Sequence, residues 1–81
     1  AAQRARGAAL VAALGGADNV RALGAVALTR LRAELRDPAL VDEAALERAG
    51  AQGVMRLAGD VVHVVVGAEA DALAAALAGD T

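Results

Sequence analysis

Thr29, Arg30 and Arg32 fall within the short segment Leu28-Thr29-Arg30-Leu31-Arg32-Ala33-Glu34-Leu35. Side chains two apart on a strand project from the same face. A guanidinium offers a planar fork of N–H donors that matches the oxygens of a phosphate or carboxylate, so the arginine pair suits an oxyanion. His63, the single histidine of the chain, is a further candidate, its ring nitrogen able in principle to take a phosphoryl group. Each has a plainer reading. Arg30 and Arg32 also fit a solvated sheet face with ion pairs to residues such as Glu34, worth about 0–1 kcal/mol each when exposed. His63 also fits a polar position on that same face.

No cysteine nucleophile accompanies these groups. The 81 residues contain no cysteine, which excludes a disulfide, a thiolate zinc site and a cysteine nucleophile within the chain. One histidine without clustered carboxylates makes no metal site, and neither a metal nor a cofactor is expected. Asp42, Glu43 and Glu47 read as a helix cap and a solvated helix face, with nothing to push two carboxyl pKa values apart. Gly15-Gly16-Ala17-Asp18 lacks the Lys-Ser/Thr partner of a phosphate-cradling loop. Eight arginines and no lysine stand against ten carboxylates, a net charge of −2, so no bulk attraction to nucleic acid or membrane follows. Aromatic residues are absent, which removes the stacking platforms of single-strand and RNA binders. No apolar run approaches the roughly 18 residues that span a bilayer, so no direct membrane insertion is expected. The first ten residues lack the apolar region of a signal peptide.

The elements that must position the arginines can be read in order. Residues 1–6 read as a linker or the tail of a preceding segment. Gly7 to Leu14 is rich in alanine and leucine and stops at Gly15-Gly16, a helix with its glycine terminator. Asn19 to Ala27, with Val20, Leu23 and Val26 among small residues, reads as a strand. Leu28 to Arg36 alternates, Leu31, Ala33 and Leu35 on one face and Arg30, Arg32, Glu34 and Arg36 on the other, the mark of a half-buried strand. Asp37-Pro38 ends it. Asp42 caps a second helix that closes at Gly50. Gly53 to Leu57 and Val61 to Val66 form a hairpin around Ala58-Gly59-Asp60, with Val62, Val64 and Val66 on one side and His63 on the other. Met55 reads as a core filler. Ala68 to Ala78 is the last helix, ended by Gly79. The order α-β-β-α-β-β-α predicts an α+β domain: a four-stranded, mainly antiparallel sheet, three helices on one face, and the other face open beneath Arg30 and Arg32.

Several of these pieces, taken in register from about Ala8, are similar to a known family. They are "ALVAALGGADNV", "LTRLRAEL", "VDEAALERAGAQGVM" and "VVHVVVG". Over residues 7–79 the chain resembles the enzyme IIB domain of the bacterial phosphoenolpyruvate-dependent sugar phosphotransferase system, glucose/N-acetylglucosamine type. The resemblance implies the same α-β-β-α-β-β-α fold. It also implies a chemistry in which a cysteine two residues before the motif threonine accepts phosphate from a phosphohistidine on the IIA partner. The cysteine then passes the phosphate to a sugar held by the membrane IIC domain. The implied partners are therefore IIA and IIC. The implied location is cytoplasmic, or tethered to the cytoplasmic face of the inner membrane through a larger transporter. Thr29, Arg30 and Arg32 match the phosphate-handling motif, and His63 matches a glutamine of the last strand near the active loop.

The sequence departs from that pattern at the acceptor. Counting back two from Thr29 gives Ala27, and counting forward from Asn19 in the family spacing gives Val26, because one residue is inserted between them. The acidic residue usual two before the cysteine is Ala25 or Gly24. The chain is thus expected to be a phosphotransferase-family domain without its nucleophile, serving as a docking or regulatory module. Two rivals stand beside this reading: an active IIB domain with an engineered Cys-to-Ala change at position 27, and an unrelated small α/β binding domain of similar architecture.

Overall fold

A computed structural model describes residues 2–78. Helix α1 runs Ala2–Ala13, strand β1 Val20–Val26, β2 Arg30–Leu35, α2 Glu43–Arg48, β3 Gly53–Leu57, β4 Val61–Val65 and α3 Ala70–Ala78. Short 3-10 turns at Ala17–Asn19, Pro38–Leu40 and Gly67–Glu69 lead into β1, α2 and α3. All strand pairings are antiparallel, and the sheet order is β1-β2-β4-β3. The expected fold class is therefore observed.

The period-two pattern of β2 decides which face is covered. Leu31, Ala33 and Leu35 are fully buried, and so are Val62 and Val64 of β4. They meet Leu10 and Leu14, Leu46 and Leu73 from the helical layer in one core. Burying each such aliphatic side chain stabilises the fold by about 1.5–3 kcal/mol relative to exposure. Because no aromatic is available, the helices must lie close. Gly7 permits this: a Cβ there would stand 2.9 Å from the Leu77 side chain of α3.

Three local features differ from the sequence reading. Residues 2–6, expected as a linker, continue α1. The reason is Arg6, whose guanidinium donates to the carbonyls of Ala49 at 3.0 Å and Gly50 at 3.1 Å. It also pairs with Glu69 at 2.7 Å. These bonds satisfy two carbonyls just past the C-terminus of α2, which have no partner inside that helix, and tie α1 to the end of α2 and to the 3-10 turn that leads into α3. β2 starts at Arg30 rather than Leu28, and Leu28 lies in the turn, 76% exposed. Met55 sits opposite His63 on the open sheet face rather than in the core. Gly79, expected to end the last helix, lies outside the described residues.

Asn19 holds the junction between the helical layer and the sheet. It is 4% exposed. Its side-chain amide donates to Leu14 O at 2.7 Å and Asp37 O at 2.9 Å, and its Oδ1 accepts from Asp37 N at 2.9 Å. Gly15 has φ +106°, and a Cβ there would fall 2.6 Å from the Asn19 Nδ2. Glycine is thus required both by the backbone and by the approach of Asn19.

Candidate functional site

The face of the sheet away from the helices is built from three adjoining rows. Val26, Arg30, Val65 and Gly53 form the row nearest the β1–β2 turn. Gly24, Arg32, His63 and Met55 form the next, and Ala22, Glu34, Val61 and Leu57 the third. Directly opposed side chains have Cβ atoms about 4.5–5.5 Å apart. Arg30 therefore stands between Val26 and Val65, and Arg32 between Gly24 and His63. Alternation along β2 brings the two arginines to neighbouring rows of one face.

Their states differ. Arg32 Nη1 pairs with Glu34 Oε2 at 2.6 Å, with side chains 41% and 42% exposed. The Arg30 side chain has no hydrogen bond or ion pair among the described residues. His63 is half-buried, and its Nδ1 is buried with no hydrogen-bond partner among the described residues. Buried polar atoms normally find one, so this nitrogen marks an incompletely satisfied spot beside Arg32.

The turn over the site is tight. Ala27 and Leu28 both have positive φ, 52° and 67°, a region that costs an L-residue about 1–2 kcal/mol. Thr29 N donates back to Ala27 O at 2.8 Å, and the Thr29 hydroxyl lies 3.4 Å from the same oxygen. Thr29 O accepts from Val66 N at 2.9 Å and Gly67 N at 3.1 Å. The threonine thus fastens the turn to the end of β4 and to the 3-10 turn before α3. Val26 ends β1 on the arginine face, opposite Arg30, whereas Ala27 lies exposed in the turn. The register of β1 against β2 shifts between Val20 and Ala22, so a residue additional to the ladder is accommodated at Arg21.

The structure therefore brings Val26, Arg30, Arg32 and His63 to one surface, with Ala27 and Thr29 at its rim. Sequence reasoning singled out neither Arg6 nor the buried amide of Asn19. Arg6 stands in a stretch with no apolar pattern, and Asn19 looked only like the start of a strand. Glu43, read as solvated, pairs with Arg56 at 3.1 Å across the α2–β3 contact. The described residues contain no group of three or more potential metal ligands. No helix among them is long and apolar enough to cross a membrane.

A family model described as phosphotransferase system, EIIB, matches residues 8–42, the segment that includes β1, the turn and β2. The N-acetylglucosamine-specific EIIB component of Streptomyces coelicolor is 52% identical over 66 residues, covering 82% of this chain and 83% of that protein. The chain belongs to the EIIB family of the phosphotransferase system. Membership overturns the reading of an unrelated domain of similar architecture. Two longer relatives place an EIIB segment within a larger polypeptide. The N-acetylglucosamine-specific EIICBA component of Klebsiella pneumoniae is 44% identical over 78% of this chain. The EIICB component of Bacillus subtilis is 48% identical over 67% of this chain. The chain spans only 10% and 12% of the lengths of those two proteins. A solved domain of a phosphotransferase-system IIabc component from Clostridium difficile superposes with a TM-score of 0.71 at 21% identity, over 82% of this chain and 67% of that one. At that identity the likeness concerns the fold alone.

Proposed function

We propose that this EIIB-family chain is a docking module of an N-acetylglucosamine-type sugar phosphotransferase system, one that meets its partners without itself carrying the phosphoryl group. The observation that carries the reading is the pairing of a retained Thr29-Arg30-Leu31-Arg32 hairpin with the absence of cysteine from the sequence. The sugar class is supported by the names of the Streptomyces, Klebsiella and Bacillus relatives. Fusion of EIIB to EIIC in the Klebsiella and Bacillus relatives, and to EIIA in the Klebsiella one, supports IIA and IIC as the partners, and with them a place at the cytoplasmic face of a membrane transporter.

Transfer to an EIIB acceptor requires a thiolate that attacks phosphorus as the N–P bond of the phosphohistidine breaks. Position 26 is supported as the acceptor equivalent by its place opposite Arg30 on the cationic face. Position 27 is supported by its spacing from Thr29. Valine and alanine have no lone pair to donate, so neither forms the S–P bond. What remains at the site is recognition. Arg30 and Arg32 can hold the oxygens of a partner's phosphoryl group through charge-assisted hydrogen bonds, with Thr29 and His63 at the edge of the same surface.

Intact mass after incubation with phosphorylated IIA tests this. The chain is expected to gain no phosphoryl mass, and Val26→Cys or Ala27→Cys is expected to gain it. A phosphorylated species of the unaltered chain would overturn the proposal.

A further inference from the structure

We infer that Glu34 is a built-in competitor at the anion site, closing Arg32 until a stronger oxyanion displaces its carboxylate. The inference rests on the docking reading above and adds its regulation. The intended ligand is the phosphoryl group borne by a protein partner.

Three observations converge. The Arg32–Glu34 contact at 2.6 Å is a short, charge-assisted bond between residues of one strand face, yet both side chains are about two-fifths exposed. A pair so exposed is worth at most about 1 kcal/mol, so an approaching ligand can open it. Secondly, Arg30 on the adjacent row has no partner among the described residues. One cation is thus available to make first contact while the other is held. Thirdly, Gly24 opposes Arg32 across the ladder, and a Cβ there would meet nothing within 4 Å. The missing side chain leaves room for the Arg32 guanidinium to leave Glu34 and swing over β1.

Glu34 is also the only carboxylate among the strand residues of this face, where the charged groups are Arg30, Arg32 and Glu34, with His63 beside them. Its charge therefore both occupies Arg32 and repels an incoming anion. A dianionic phosphoryl group can bridge both guanidiniums and offset the lost pair. A monoanionic carboxylate replaces Glu34 only by its equal. The contact thus raises the threshold for weak anions more than for phosphoryl groups.

The test is a titration of the isotope-labelled full chain with inorganic phosphate at neutral pH, followed through the amide and guanidinium signals of Arg30 and Arg32. Glu34→Gln is expected to bind phosphate about three- to tenfold more tightly than the unaltered chain. The gain is expected to vanish in Arg32→Ala/Glu34→Gln, and to recur when phosphorylated IIA replaces free phosphate. Equal affinities of the unaltered chain and Glu34→Gln, with both abolished by Arg30→Ala, would overturn the competitor role while leaving the docking site standing. A gain with free phosphate but none with phosphorylated IIA would overturn the assigned ligand. No saturable shift in any variant would overturn the docking reading and this inference with it.

Discussion

Asn19 spreads one buried side-chain amide over three hydrogen bonds to residues five and eighteen positions away. Replacing it with alanine strands the buried carbonyl of Leu14 and takes the side-chain partners from both backbone groups of Asp37 at the part-buried edge of the junction. Since each unsatisfied buried group costs about 1–3 kcal/mol, Asn19→Ala is expected to lose about 2–4 kcal/mol. Urea denaturation reads this as a lower midpoint at unchanged slope. A loss under ~1 kcal/mol would show that water replaces the amide. The arginines of the open face behave in the opposite way. Arg30 bonds to nothing described and Arg32 only to exposed Glu34. Arg30→Ala with Arg32→Ala is therefore expected to weaken partner binding while moving the melting temperature by no more than about 5 °C. A larger drop would mean that the pair serves the fold rather than recognition.

At the scale of elements, β2 was the most legible part of the chain because its alternation is a direct image of burial on one face only. Leu31 is 1% exposed, so Leu31→Ala is expected to cost about 2–4 kcal/mol, measured by the same denaturation. The turn before β2 was not legible. Its residues, Ala27 and Leu28, are poor turn formers, and sequence preference assigned Leu28 to the strand. The Thr29 carbonyl, doubly bonded to Val66 and Gly67, overrides that preference from the far end of β4. Leu28 then pays for its place with a left-handed backbone and an exposed side chain. Leu28→Gly is expected to stabilise the domain by about 0.5–1 kcal/mol. A destabilisation would mean that the leucine packs against something in the turn. Residues 2–6 were illegible for a similar reason. Their helix is fixed by Arg6 reaching carbonyls more than forty positions away, which no local pattern records.

For the whole molecule, the order of elements and the antiparallel sheet followed from periodicity and punctuation alone, since the helices and the covered sheet face share one core. The site was legible as a face, through the spacing of Arg30 and Arg32 and the alternation that sets His63 apart from Val62 and Val64. Its internal state was not. The closure of Arg32 by Glu34, the unpartnered Arg30 and the unsatisfied Nδ1 of His63 depend on cross-strand neighbours that only the register supplies. Together these features describe one cationic sheet face on an EIIB-family chain without cysteine, the surface we propose for docking. The most direct test is a residue-by-residue NMR titration of the labelled chain with phosphorylated and unphosphorylated IIA. Perturbations are expected to concentrate at residues 25–32 and His63, stronger with the phosphorylated partner. No perturbation there at saturating partner would contradict the docking proposal.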